Sequence, residues 1–234
     1  MNVRIFSTIV TSVLLSTLAL ACSPIWENRL NRTAQAQEEN SELIYGEIVD
    51  ASSEYIMIPV QVAGNKGLLS QDSSSEYRTK GATPVNMIFH SLKTGQSHIL
   101  LNKKAVISQW EFLELKTEKD KPARKVLFLR LIETDTNGNQ KFDGDDASVG
   151  YLADISGKNL QRITPLNAQL IGWKYDKNRD IIFLRVLKDY DNNKKFTTQD
   201  EVNFIKVNPN NPGQGKEIIS DKIQQELKSL IKRS

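Results

Sequence analysis

Two stretches of this 234-residue chain place side-chain oxygens at alternating positions. The first runs Asp135, Asn137, Asn139, Lys141, Asp143 and Asp146. The second runs Asp189, Asp191, Asn193, Lys195, Thr197 and Asp200. Each follows an apolar run that carries Phe-Leu-Arg, at Phe128 to Arg130 and at Phe183 to Arg185. Alternate residues of a tight loop point to one side, so this spacing converges oxygens on one point. Hard cations such as Ca2+ take six to eight oxygens, and a 12-residue loop supplies them from positions 1, 3, 5, 7, 9 and 12. Position 7 offers its main-chain carbonyl, which is the part Lys141 and Lys195 would play. The same Asp, Asn and Gly residues also favour metal-free Asx turns.

Both loops resemble the EF-hand calcium loop. Phe142 and Phe196 stand at position 8, where that loop carries an inward apolar residue. Two departures point to weak affinity, in the range of about 10⁻⁴ to 10⁻³ M typical of extracellular modules. Position 6 is Gln140 or Lys194 instead of Gly. Position 12 is Asp instead of the longer Glu. The flanks read as strands, so the expected setting is a β-hairpin tip and not a helix-loop-helix switch.

The elements that must hold these loops repeat. Met87 to Leu100, Tyr151 to Thr164 and Phe204 to Ile219 each read as strand, turn, strand. Ile107-Ser-Gln-Trp110 matches Leu170-Ile-Gly-Trp173, and each Trp strand leads through a polar turn into an apolar run. Short segments rich in β-branched and aromatic residues, punctuated by Gly, Asn, Asp and Pro, favour strands. The runs at 126–132 and 181–187 are apolar on both faces apart from Arg130 and Arg185, which predicts cover on both sides. The recurrence of the two Arg favours structural ion pairs with a neighbouring acidic loop over ligand contacts in a central groove. The fold expected is all-β: three four-stranded antiparallel blade-like units near 43–102, 103–165 and 166–220. Together they make a β-repeat domain over 43–220. From Asp221 the spacing Ile223, Leu227, Leu230, Ile231 predicts a short C-terminal helix within 221–234, capped by Ser220 and covering an edge strand.

The stretch from Gly150 to Pro165 resembles the WD40-like β-propeller repeats of bacterial periplasmic proteins. Asp154, Gly157, Asn159, Leu160, Ile163 and Thr164 fall on that pattern. The resemblance implies blade-like sheets and no particular activity. Propellers close with about four to eight blades, so three units imply an open arc, a compact three-unit assembly, or half of a homodimeric ring.

The N-terminus reads as an address. Arg4 precedes an uncharged stretch from Ile5 to Ala21, too short and too rich in Ser and Thr for a spanning helix. It ends Leu18-Ala-Leu-Ala-Cys22, which resembles the lipobox of bacterial lipoproteins. That resemblance implies a signal peptide over 1–21, lipidation at Cys22, and a polar tether over 22–42. Ordinary cleavage after Ala21 is the alternative. Cys22 is the sole cysteine, so an exported chain has no internal disulfide and stability must come from its core.

The formal net charge of +3 is close to balance, which argues against a nucleic-acid partner. No Gly-x-Ser-x-Gly elbow, phosphate-binding Gly loop or His-Glu-x-x-His is present, and no third ligand is spaced to join His90 and His98. The expectation is an exported, lipid-anchored protein on the periplasmic or cell-surface side of the envelope. It would act as a non-enzymatic binding or scaffolding module for an envelope protein or glycan, with Ca2+ supporting the loops. The alternative, from another class, is an envelope hydrolase that cleaves glycan or peptide with loop carboxylates.

Overall fold

The computed structural model describes residues 42–63, 83–116, 124–193 and 195–232. The signal segment, Cys22 and nearly all of the tether lie outside them. The described chain forms three antiparallel sheets and one helix. The first sheet holds β1 (Leu43–Tyr45), β2 (Val49–Asp50), β3 (Tyr55–Val62), β4 (Asn86–Ser91) and β5 (Ser97–Ile99). The second holds β6 (Val106–Leu115), β7 (Arg124–Ile132), β8 (Ser148–Asp154) and β9 (Gln161–Arg162). The third holds β10 (Ala168–Asp176), β11 (Ile181–Lys188), β12 (Glu201–Val207) and β13 (Lys216–Glu217). Strands pair in chain order within the second and third sheets, and the acidic stretches form the β7–β8 and β11–β12 connections.

The first sheet has five strands where four were expected, and its register explains the difference. β1 and β2 both pair with β3. Between the pairs Tyr45–Val60 and Val49–Met57, four steps of one chain face three of the other. They are one strand broken by a β-bulge. β6 slips by one residue between Ile107 and Gln109, and β10 between Leu170 and Gly172. All three sheets therefore bulge near the start of their first strand, which bends the strand and increases local twist.

Two buried seams join the sheets in chain order. Met57, Met87 and Phe89 of the first sheet pack with Leu127, Leu129, Leu131 and Tyr151 of the second. Val126, Phe128 and Leu152 on the opposite face of the second sheet pack with Leu170, Ile182, Leu184 and Ile205 of the third. Phe128 is fully buried and stacks on Trp173 with centroids 4.0 Å apart. Neither seam joins the first sheet to the third.

Of the two runs expected to be covered on both sides, only β7 is. In β11 the inner residues Ile182, Leu184 and Val186 are buried, Phe183 and Leu187 are half-buried, and Arg185 is exposed. The reason is position: the third sheet is the last of the described stack. Arg130 also departs from its expected ion pair. Its guanidinium donates to Ser148 Oγ at 2.7 Å and to the Leu170 carbonyl at 2.9 Å, tying the second sheet to the third.

Helix α1 (Asp221–Ile231) is capped by Ser220, whose side chain accepts from Ile223 N–H. It does not act as the expected cover. None of its residues is buried, and Ile223, Leu227 and Leu230 stay exposed. Lys228 is held to Glu201 of β12 at 2.9 Å. Two residues of β13 are too short an edge to seat about three turns of helix. Among the described residues no helix is long and apolar enough to cross a membrane.

Candidate metal centre

The two acidic stretches fold as tips of equivalent hairpins, but their carboxylates are arranged differently. In the β11–β12 tip, one oxygen from each of Asp189, Asp191 and Asp200 lies within 4.8 Å of the other two. Asp189 is buried, Asp200 half-buried and Asp191 exposed. Local hydrogen bonding builds this cluster. Asn193 N–H donates to both Asp189 and Asp191, at 3.0 and 3.1 Å, and the Asn193 amide donates to Asp191 at 2.7 Å. Asn193 Oδ1 in turn accepts from Lys195 N–H. Asp200 folds back to accept from Tyr190 N–H and from Thr197 N–H and hydroxyl. The Thr197 N–H leads the contacts that hold the Asp200 carboxyl below its ordinary value, so it is ionised at neutral pH. Positions 1, 3 and 12 of the expected ligand set thus converge, with Asn193 and Thr197 hydrogen-bonded to them.

In the β7–β8 tip, the carboxylates serve the backbone. Asp135 accepts from the N–H groups of Gly138, Asn139 and Gln140. Asp146 is buried and accepts from Thr136 N–H and hydroxyl, Asn137 N–H and Asp143 N–H. Asn137 and Asn139 close Asx turns onto Asn139 N–H and Lys141 N–H, and the Asn139 amide reaches Asp143 at 3.0 Å. Among the described residues, Asp135, Asp143 and Asp146 do not form a three-carboxylate cluster of the kind seen in the second tip. Asn137 in place of the second acid is the visible sequence difference. Gln140 takes φ +63°, the left-handed turn for which Gly was expected. Phe142 lies under Lys104, with Nζ 5.4 Å from the ring centroid.

The two histidines do not cooperate. Phe89 pairs with His98, and His90 with Ser97, so the imidazoles lie on opposite faces of the first sheet. His90 Nδ1 is 2.8 Å from Ser97 Oγ, and His98 stacks on Phe89.

Sequence reasoning passed over Glu133, which precedes the first loop. Its side chain is 10% exposed and binds Lys103 at 2.6 Å, Arg162 at 3.2 Å and the Tyr151 hydroxyl at 2.9 Å. Burial and the Glu133 contact raise the Tyr151 hydroxyl above its ordinary value, keeping it a donor. A lone Glu after a strand carries no spacing signal, because its partners lie 18 to 30 residues away.

The residues that carried the propeller-repeat resemblance build the β8–β9 turn. Asp154 accepts from Ser156 N–H, Lys158 N–H and the Asn159 amide. Thr164 is buried and its hydroxyl accepts from Gly150 N–H at 2.8 Å. Fold and site define a stack of three antiparallel sheets with acidic hairpin tips. Comparison with protein-family models, curated proteins and solved structures finds no match to the chain.

Proposed function

We propose that this protein is a lipid-anchored binding or scaffolding module of the cell envelope, non-enzymatic, whose acidic hairpin tips are stiffened by Ca2+. The observation that carries the metal part is the convergence of Asp189, Asp191 and Asp200 at the β11–β12 tip. An all-oxygen donor set of carboxylates, amide, carbonyl and hydroxyl suits a hard cation over a soft one. Asp189, Asp191, Asn193, the Lys195 carbonyl, Thr197 and Asp200 would hold it. In the first tip the ligands would be Asp135, Asn137, Asn139, the Lys141 carbonyl, Asp143 and Asp146, at the expense of N–H contacts that Asp135 and Asp146 already accept. The ion would neutralise like charges and fix the long connection between two strands. A rigid stack of sheets would then present its loops to an envelope protein or glycan.

A ligand that binds only the folded state stabilises by RT ln(1 + [L]/Kd), about 1.5–3 kcal/mol at 10 to 100 times Kd. Addition of Ca2+ at about 10 mM therefore raises the melting temperature by roughly 3–10 °C over chelator. Asp189→Ala with Asp135→Ala abolishes the gain. A melting curve indifferent to Ca2+ and chelator ends the metal reading.

The anchor reading rests on Ala21-Cys22 and is tested separately. Expressed in a bacterium with its N-terminal segment, the protein partitions with membranes and takes up labelled fatty acid. Cys22→Ser abolishes both. Equal partitioning of the two forms overturns the anchor while leaving the metal question open.

A further inference from the structure

The three sheets follow one rule of contact. The face that each sheet turns to its predecessor is apolar: Leu127, Leu129 and Tyr151 in the second sheet, Ile182, Leu184 and Ile205 in the third. Counted from the shared bulge, the same places in the first sheet are Ile56, Ile58 and Ile88. They lie on the outward face, where no described sheet precedes them, and all three are only half-buried. Ile99 pairs with Ile88 and Tyr45 stands beside Val60, extending the patch; they are 57% and 59% exposed.

The converse holds at the other end. The second sheet grips its successor with Phe128, stacked on Trp173, and Arg130, bonded to the Leu170 carbonyl. Their register equivalents in the third sheet are Phe183 and Arg185, which face outward where no described sheet follows them. The stack thus begins with a face made to receive a sheet and ends with a face made to grip one. Charge agrees: Lys174, Arg185 and Lys206 share the outward face of the third sheet, and Asp50 shares that of the first.

We infer that two copies of this chain close into a six-sheet ring, the third sheet of each seated on the first sheet of the other. Six sheets lie within the range over which propellers close. Two-fold symmetry makes the two new seams identical and leaves neither terminal face bare. In this ring Arg185 of one copy meets the main chain around Tyr45 of the other, as Arg130 meets Leu170 within a chain. This surface is independent of metal and anchor.

The test is the mass of the full chain carrying Cys22→Ser, measured by sedimentation, so that neither a lipid nor a micelle brings copies together. The expected mass is twice the 26.5 kDa of one chain. Ile58→Asp with Ile88→Asp converts it to monomer. Arg185→Glu, at an exposed position that cannot disturb the core, weakens the dimer at least tenfold. Tyr45→Cys with Arg185→Cys gives a covalent dimer under mild oxidation. A monomer at every concentration, an open-ended series of larger species, or a dimer indifferent to Arg185→Glu overturns the ring.

Discussion

Gly157→Ala lowers the melting temperature by roughly 5–15 °C, the expected result of a loss of about 2–4 kcal/mol. Two costs combine. Gly157 has φ +77°, a conformation that strains any residue with a Cβ. An added Cβ would also stand 2.3 Å from Cδ2 of Phe89, which is fully buried in the seam between the first two sheets. The ring must move, and the close-packed residues around it leave little room. Gly95 supplies the control. It has nearly the same φ, +70°, in the corresponding turn of the first sheet, with nothing within 4 Å of an added Cβ. Gly95→Ala therefore costs only the backbone share, about 1 kcal/mol. Equal losses at the two glycines in a thermal melt would show that Gly157 does not wedge the seam.

Glu133→Ala lowers stability by about 2–4 kcal/mol, toward the value for removing one partner of a buried charge cluster. The deletion leaves Arg162, 21% exposed, and the buried Tyr151 hydroxyl beside a missing carboxylate that was only 10% exposed, while Lys103, 47% exposed, turns to water. Glu114→Ala, which removes the pair with Lys125, costs less than about 0.5 kcal/mol, because those side chains are 59% and 40% exposed. Denaturant titration of the two variants separates them by several-fold in free energy. The pH dependence follows Lys103. Burial opposes its charge, but Glu133 outweighs burial and the ammonium is held above its ordinary value. A raised folded-state value means the contribution is fully present below the unfolded Lys value of about 10.4 and fades as pH rises through the folded value. The gap between Glu133→Ala and the parent therefore stays constant from pH 6 to 9 and narrows in strong alkali as Lys103 loses its charge. A gap that closes at neutral pH sinks this account.

Local periodic signals were legible in the chain. The recurring Trp strand, apolar run and acidic stretch announced three antiparallel sheets with hairpin tips, because alternation and turn residues act over a few neighbouring positions. Ser220 was legible as a cap for the same reason. What stayed hidden depends on distant partners. The carbonyl that Arg130 binds belongs to Leu170, 40 residues on. The one-residue slips in three first strands leave no mark in composition. Arg185 looks like Arg130 in sequence, yet one is exposed and the other wedged between sheets, because only the end of a stack lacks a neighbour. The two acidic loops were nearly equivalent on spacing alone. The structure separates them by how many N–H groups each carboxylate already accepts, which no ligand spacing encodes.

The common bulge has a consequence for how such a chain changes length. Every ladder of hydrogen bonds closes within its own sheet, and each seam involves only consecutive sheets. A duplication that inserts another copy of residues 103–165 after Pro165 would break no strand pairing. Its outgoing face would meet the third sheet as its template's does, and its incoming face would meet the template's own Phe128 side. Growth by whole modules is thus cheap for this architecture, whereas losing half a module would leave an orphaned strand edge.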